Sequence, residues 1–415
     1  MDSSQRAADG PLADLHIVDL SSYVAGPSAT MTLAQLGADV IRIDPRGGAP
    51  DTRRMPLAPD GSSLYWAGLN RGKRSLELDL RSEEGKSTVR RLLAVGGQGH
   101  GIVVTNAVGQ NWLSYEELRR VRPDLIHVHL AGRSDGSSAV DYTINAETGL
   151  PFITGPVNMK EPVNHVLPAW DLLAGLHAAL AVLTAERMRR ATGLGQSVSL
   201  NLADVAATTL AQLGYVADVV VNGAHRRREG NSLYGSYGCD FAASDGGRFM
   251  IVALTARHWK ALVALTGTQH AIAGIESSLG INFADEAVRY KYRDLASALF
   301  APWFARLNSD ETRAQLKASS VLWSEYRSVE QMATAPDGIV RQSALFDDVD
   351  HPGIGVYPAP RSATTMSGWS APASRPAPLL GQHSDEILAE WLGTMTTEAA
   401  AASDALQLSA DGSGR

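Results

Sequence analysis

Between residues 16 and 202 the chain alternates short apolar runs with amphipathic stretches, and this order limits the fold class more tightly than any other feature. His16–Leu20 (HIVDL) reads as a strand. Pro27 suits a first helical turn and opens a helix through Leu36, which Gly37 ends. Ala38–Asp44, Ser75–Leu80, Ile102–Thr105, Leu125–Leu130 and Ser197–Leu202 read as further strands. Between them lie a helix capped by Ser82, a short one from Ser114, and a long one from Asp171 to Arg190 closed by Gly193. Such alternation builds an α/β fold with a doubly wound parallel sheet. His225–Arg228 (HRRR) reads as the start of a linker. A new unit begins near Tyr237, with a strand at Phe249–Leu254 and helices after it. Pro336–Arg361 is loop-like, and Leu379–Leu392 supplies a final helix.

At 415 residues the chain is too long for one ordinary core, so two domains are expected. A net charge of −7 argues against nucleic acid as the main partner. The single cysteine, Cys239, cannot form an internal disulfide, which fits a reducing cytoplasm, and it reads as a packed residue. The first residues, MDSSQRAADGPLADL, lack the basic-then-apolar pattern of a signal peptide. Leu172–Thr184 and Leu202–Val221 are the most apolar helical stretches; His177, Asp204, Gln212 and Asp218 within them mark buried core helices rather than membrane spans. There is no metal-ligand spacing, no G-x-S-x-G elbow and no G-x-G-x-x-G, so no metal and no tightly bound cofactor is expected.

Several segments invite a chemical reading beside a plain one. The turn Tyr23–Pro27 has small residues ahead of a helix N-terminus, which favours an anionic ligand, though such a turn is more often a connection. Asn70-Arg71-Gly72-Lys73-Arg74-Ser75, with Arg46, Arg53 and Arg54, offers cations for a phosphate, or only a solvated basic edge. Asp171 opens an apolar helix after Trp170, where local pattern favours a capping role. A carboxylate there can also attack a thioester, provided water is kept from the anhydride. His165, with Asn164, can hold a substrate carboxylate or serve the structure alone.

In joint order and spacing, VDLSSYVAGPSATMTLAQLGADVIRID, NRGKRSLELDLRSEEGK, RPDLIHVHLAG, VDYTINAETGLPFITG and DLLAGLHAALAVLTAERMRRATGLGQSVSLNLADVA resemble the class III coenzyme A-transferases (CaiB/BaiF type). That family also contains the alpha-methylacyl-CoA racemases. The resemblance implies a ring-like chain that forms an interlocked homodimer. It also implies a large CoA-binding domain begun by residues 12–222, a smaller α+β middle domain over 223–335 and a return to the large domain over 336–396; the Ala-, Ser-, Asp- and Gly-rich composition of 397–415 reads by itself as a disordered tail. It makes Asp171 the catalytic carboxylate and places Val24, Ala25, Arg46, Asn70, Lys73, Arg74 and Asn106 where the family holds coenzyme A, itself part of the substrate.

Departures from the family pattern narrow the activity. Val24 stands where one branch has a catalytic glutamine, and Gly230–Gly238 is the counterpart of that branch's glycine loop. Val140 stands where racemases have a histidine before Asp141, and Gly235 replaces their glutamate. SLYWAGLNRGKRS, AVDYTINAETGLPFITGP and PVNHVLPAWDL are closest to the branch that moves CoA between the C1 and C4 carboxyl groups of one methyl-branched unsaturated dicarboxylate, mesaconate. Intermolecular transfer between two acids and alpha-carbon racemisation are the alternatives. Tyr142, Asn145, Asn164 and His165 are the expected holders of the free carboxylate, and Asp141 is expected to cap the segment that follows it.

Overall fold

Strands β1 (His16–Leu20), β2 (Asp39–Pro45), β3 (Arg74–Leu78), β4 (Ile102–Thr105), β5 (Ile126–Ala131) and β6 (Gln196–Asn201) pair in parallel, in the order 3-2-1-4-5-6. They belong to a computed structural model that describes residues 10–393, so the expected tail at 397–415 lies outside the described residues. Strands β1, β2, β4 and β5 are buried along most of their length because a parallel sheet is covered on both faces, whereas the edge strands β3 and β6 are partly exposed. Ile17, Val18, Ile41, Val103, Val104, Ile126 and Val128 are all buried. The strand order reverses between β1 and β4, and open α/β sheets bind ligands outside the carboxyl ends of the strands at such a point.

Helices α1 (Ala25–Ala34), α2 (Glu83–Ala94), α3 (Asp141–Glu147) and α4 (Ala169–Thr192) lie between these strands in sequence, and α5 (Leu202–Gln212) and α6 (Tyr215–Asn222) follow β6. Ser82 caps α2 as expected, its Oγ accepting from Gly85 N at 3.0 Å. Helix α1 begins two residues before Pro27, because Val24 already has helical backbone angles behind the turn at Tyr23. The stretch read as one helix from Leu202 breaks at Gly214, whose φ of +79° suits glycine, and α5 and α6 meet at a bend of 62°. The expectation of buried core helices fails for α6, in which no residue is buried. Leu176 and Leu180 on α4 are also exposed.

Two compact units divide the chain: residues up to 148, 166–217 and from 343 form one, and 149–165 with 218–342 form the other. The second unit therefore takes residues 149–165, which the sequence reading keeps in the large domain, and it reaches beyond the expected 223–335 at both ends. Arg228 supplies the physical reason. It belongs to the HRRR run expected to start a linker, and it is buried, its guanidinium donating to the carbonyls of Pro151, Thr154, Met159 and Glu161. This clamp ties 149–165 to the segment carrying Arg228. The unit's antiparallel sheet of β7 (Tyr237–Ala242), β8 (Arg248–Ala253) and β9 (Leu322–Glu325) packs on an aromatic core that includes Trp259, Phe283, Phe300 and Phe304. Cys239 lies against that core, 3.2 Å from Ser297 Oγ, and burial pushes its thiol up.

In the first unit the return segment docks under the sheet. Residues 384–393 are helical, and Ile387 and Trp391 join the cluster that contains Val18, Leu76 and Val103. Beneath the β1–α1 turn lies a buried charge network. Asp19 accepts from Ser21 Oγ at 2.5 Å, Thr30 Oγ1 at 2.6 Å and Lys73 Nζ at 2.9 Å. Arg42 Nη1 lies 4.0 Å away. Burial works to raise the Asp19 pKa, but Lys73, Arg42 and the two hydroxyls override it and bring it to about 2. Removing one partner of such a pair leaves an uncompensated buried charge. Asp19→Ala is therefore expected to lower unfolding free energy by about 3–5 kcal/mol, read from urea denaturation.

Candidate active site

The carboxyl end of β1 is shaped by two side chains that arrive from elsewhere. Asn106, just after β4, pairs with the Ser22 backbone in both directions: its Oδ1 accepts from Ser22 N and its Nδ2 donates to Ser22 O, each at 3.0 Å. Tyr23 has a φ of +69°, an uncommon conformation for a residue with a side chain. Asp51 holds it there by accepting from Tyr23 N at 2.8 Å, while Arg42 Nη2 lies 3.4 Å from the same Asp51 oxygen. The turn that presents Val24 and Ala25 is thus fastened to the buried network below it.

Helix α4 crosses close to this turn because Gly175 lacks a side chain. A Cβ at Gly175 would lie 2.1 Å from Ser28 Oγ and 2.9 Å from Ala25 O. Asp171 sits one turn earlier on the same helix face. The cap of α4 is not Asp171. Asp141, 30 residues earlier in the chain, accepts from Trp170 N at 2.7 Å and from Asp171 N at 3.0 Å. So Asp141 caps a helix beyond the segment that follows it. Asn145 fixes Trp170, accepting from its indole N–H at 3.2 Å. Among the described residues none donates a hydrogen bond to the Asp171 carboxylate. Burial, and then the charge of Asp141, push its pKa up to about 7 against the pull of Arg54. A helix start favours a carboxylate; here another acid has taken those amides, and desolvation wins.

Arg54 and Tyr65 complete the surroundings, and neither stands out in the sequence as a site residue. Arg54 was read only as one of a cationic cluster, and Tyr65 lies in the short helix Leu64–Leu69 without any local pattern to mark it. The Arg54 guanidinium lies 5.0 Å from the Tyr65 ring centroid and 5.8 Å from that of Tyr23. Burial raises the Tyr65 phenol, Arg54 lowers it, and the charges of Asp171, Asp51 and Tyr142 raise it again, so these groups share one electrostatic neighbourhood.

The remaining sequence candidates separate. Val24, Ala25 and Asn106 meet at the carboxyl edge of the sheet, with Arg46 exposed just after β2. Arg74 opens β3 at the opposite, amino edge, where it pairs with Asp39, Glu386 and Glu390. A cavity of about 750 Å³ at that edge is lined by Arg74, His16 and His100, and by none of the groups around Asp171. Lys73 spends its donors internally, on Asp19 and on Pro27 O and Asn70 Oδ1 at 2.9 and 2.8 Å. Asn70 is buried beside it, its amide on Trp66 O. Tyr142 is part-exposed, with its hydroxyl 3.3 Å from Val166 O. Asn164 and His165 belong to the second unit.

A model of CoA-transferase family III matches residues 12–384. The chain belongs to CoA-transferase family III. Among its relatives, 2-methylfumaryl-CoA isomerase of Chloroflexus aurantiacus is 45% identical over 390 residues, covering 94% of this chain and 95% of that protein. The succinyl-CoA:mesaconate CoA-transferase of Haloarcula hispanica is 30% identical over 412 residues, covering 93% and 98%. In structure, a CAIB/BAIF family protein from Brucella suis matches with a TM-score of 0.76 at 26% identity, covering 92% of this chain and all of that one.

A family III chain with its acid held at about 7 carries a stability signature. The folded pKa lies above the unfolded one, so ionising Asp171 costs stability as pH rises from about 4 towards 7. Asp171→Asn is expected to raise stability at pH 8 by up to about 4 kcal/mol, with little gain at pH 3. Thermal melts at the two pH values check this.

Proposed function

We propose that this protein moves CoA between the two carboxyl groups of one methyl-branched unsaturated dicarboxylate, converting 2-methylfumaryl-CoA to 3-methylfumaryl-CoA. The observation that carries the reading is the Asp171 carboxylate: its cap duty belongs to Asp141, and it opens a helix packed against the β1–α1 turn. The 45% identity to an isomerase of that substrate supports the choice of acyl group.

In this reading Asp171 attacks the thioester carbonyl and CoA thiolate leaves, giving a mixed anhydride. The thiolate attacks the Asp171 carbonyl, forming an aspartyl-CoA thioester and releasing the dicarboxylate. The acid turns and its other carboxylate attacks the aspartyl thioester. The thiolate then attacks the substrate carbonyl of the new anhydride, restoring Asp171. No outside acceptor enters. Keeping the free acid in place makes the second attack effectively intramolecular, an advantage of about 7–11 kcal/mol. CoA lies along the carboxyl edge near Val24, Ala25, Arg46 and Asn106. The exposed Leu176 and Leu180 support a homodimer as the working form.

Incubation with 2-methylfumaryl-CoA and labelled free mesaconate is expected to give 3-methylfumaryl-CoA with the label left in the acid. Label entering the ester as fast as isomer forms would establish intermolecular transfer instead. Borohydride or hydroxylamine quenching should leave the modification on Asp171, seen by mass spectrometry. Because the carboxylate form attacks, kcat/KM is expected to fall about tenfold per pH unit on an acid limb below Asp171's pKa of about 7.

A further inference from the structure

We propose that Arg54 is the holder of the substrate's distal carboxylate, and therefore the residue that selects dicarboxylyl over monocarboxylyl groups. The assignment rests on the intramolecular reading above. Its ground is a contrast between Arg54 and the cations packed around the β1–α1 turn, Arg46 beyond β2 being the exposed cation assigned above to CoA. Arg42 is spent on Asp44 and Asp51, and Lys73 on Asp19. Arg53 gives an N–H to Gly47 O at 2.6 Å. Arg54 is exposed, and among the described residues no acid lies within ion-pair distance of its guanidinium.

Its backbone is nonetheless held. The Arg54 backbone N–H donates to Asp51 O at 3.2 Å, and its carbonyl accepts from Ser63 Oγ at 2.5 Å. The guanidinium lies over the Tyr23 and Tyr65 rings, 5.8 and 5.0 Å from their centroids. Aromatic faces attract a cation through the ring quadrupole and consume none of its N–H donors. A planar fork held that way presents its donors to an incoming carboxylate, which it can bind bidentately. Arg54 lies over Tyr23, which adjoins the turn whose Ala25 O faces Gly175, one helical turn from Asp171, and its charge pulls the Asp171 pKa down; in this assignment one short dicarboxylate spans the two groups.

This placement suits the chemistry of an internal shift. While Asp171 carries one carboxyl group, Arg54 holds the other. After the acid turns, the two carboxyl groups exchange stations. A fork recognises either end, because both present the same two oxygens.

Binding by calorimetry to protein carrying Asp171→Asn tests the assignment without turnover. The probes are 2-methylfumaryl-CoA and 2-methylbut-2-enoyl-CoA, which has a methyl group in place of the distal carboxylate. Adding Arg54→Gln is expected to weaken the first probe about tenfold or more and the second by less than about twofold, with Arg54→Lys in between. Equal losses for both probes, or no loss for either, would overturn the assignment. If wild-type protein fails to isomerise while the contrast persists, the proposed reaction falls and Arg54 stands as a carboxylate site.

Discussion

A single buried carboxylate, Asp19, holds together elements that are far apart in sequence. It lies near the end of β1 and draws in Thr30 from α1, Lys73 from the segment before β3, and Arg42 from β2. Arg42 in turn contacts Asp51, and Asp51 fixes the unusual backbone of Tyr23. The turn at the reversal of strand order is therefore suspended from a network of charges that water does not reach. Charges of this kind persist only when each is paired, which is why so many of the chain's cations are unavailable to a ligand.

The sheet was legible in the sequence because its inner strands carry short apolar runs and its edge strands alternate, and both patterns are easy to find. His16–Leu20 and Ile102–Thr105 are the strands of the structure, residue for residue. Helix starts were less legible. Both α1 and α4 begin two residues earlier than their local signals, since one is set by the backbone of Tyr23 and the other by a carboxylate from another helix. The break at Gly214 is masked in the sequence because apolar residues continue across it. The small unit's claim on residues 149–165 depends on Arg228, a contact between positions more than 60 residues apart.

The site shows the same division. Asp171 could be named from the order of motifs, but its freedom from capping could not, because the cap comes from Asp141 across 30 residues. The clusters of Arg and Lys looked alike in sequence. Folding sorts them by the acids each one meets: Arg74 meets Asp39 and Glu390, Lys73 meets Asp19, and Arg54 meets two tyrosine rings. Partnering is a property of the fold, so no reading of local composition separates them.

Because the chain visits the second unit twice, its two excursions are bound to each other by descent as well as by structure. A recombination event that replaced residues 218–342 with foreign sequence would remove Arg228 and strip the donors from four carbonyls in 149–165. That orphaned segment would hang between the helix carrying Asp141 and the helix carrying Asp171. Any lineage that exchanges its small unit must therefore bring along a compatible partner for the shorter excursion, or disturb the capped helix start on which the reactive acid rests.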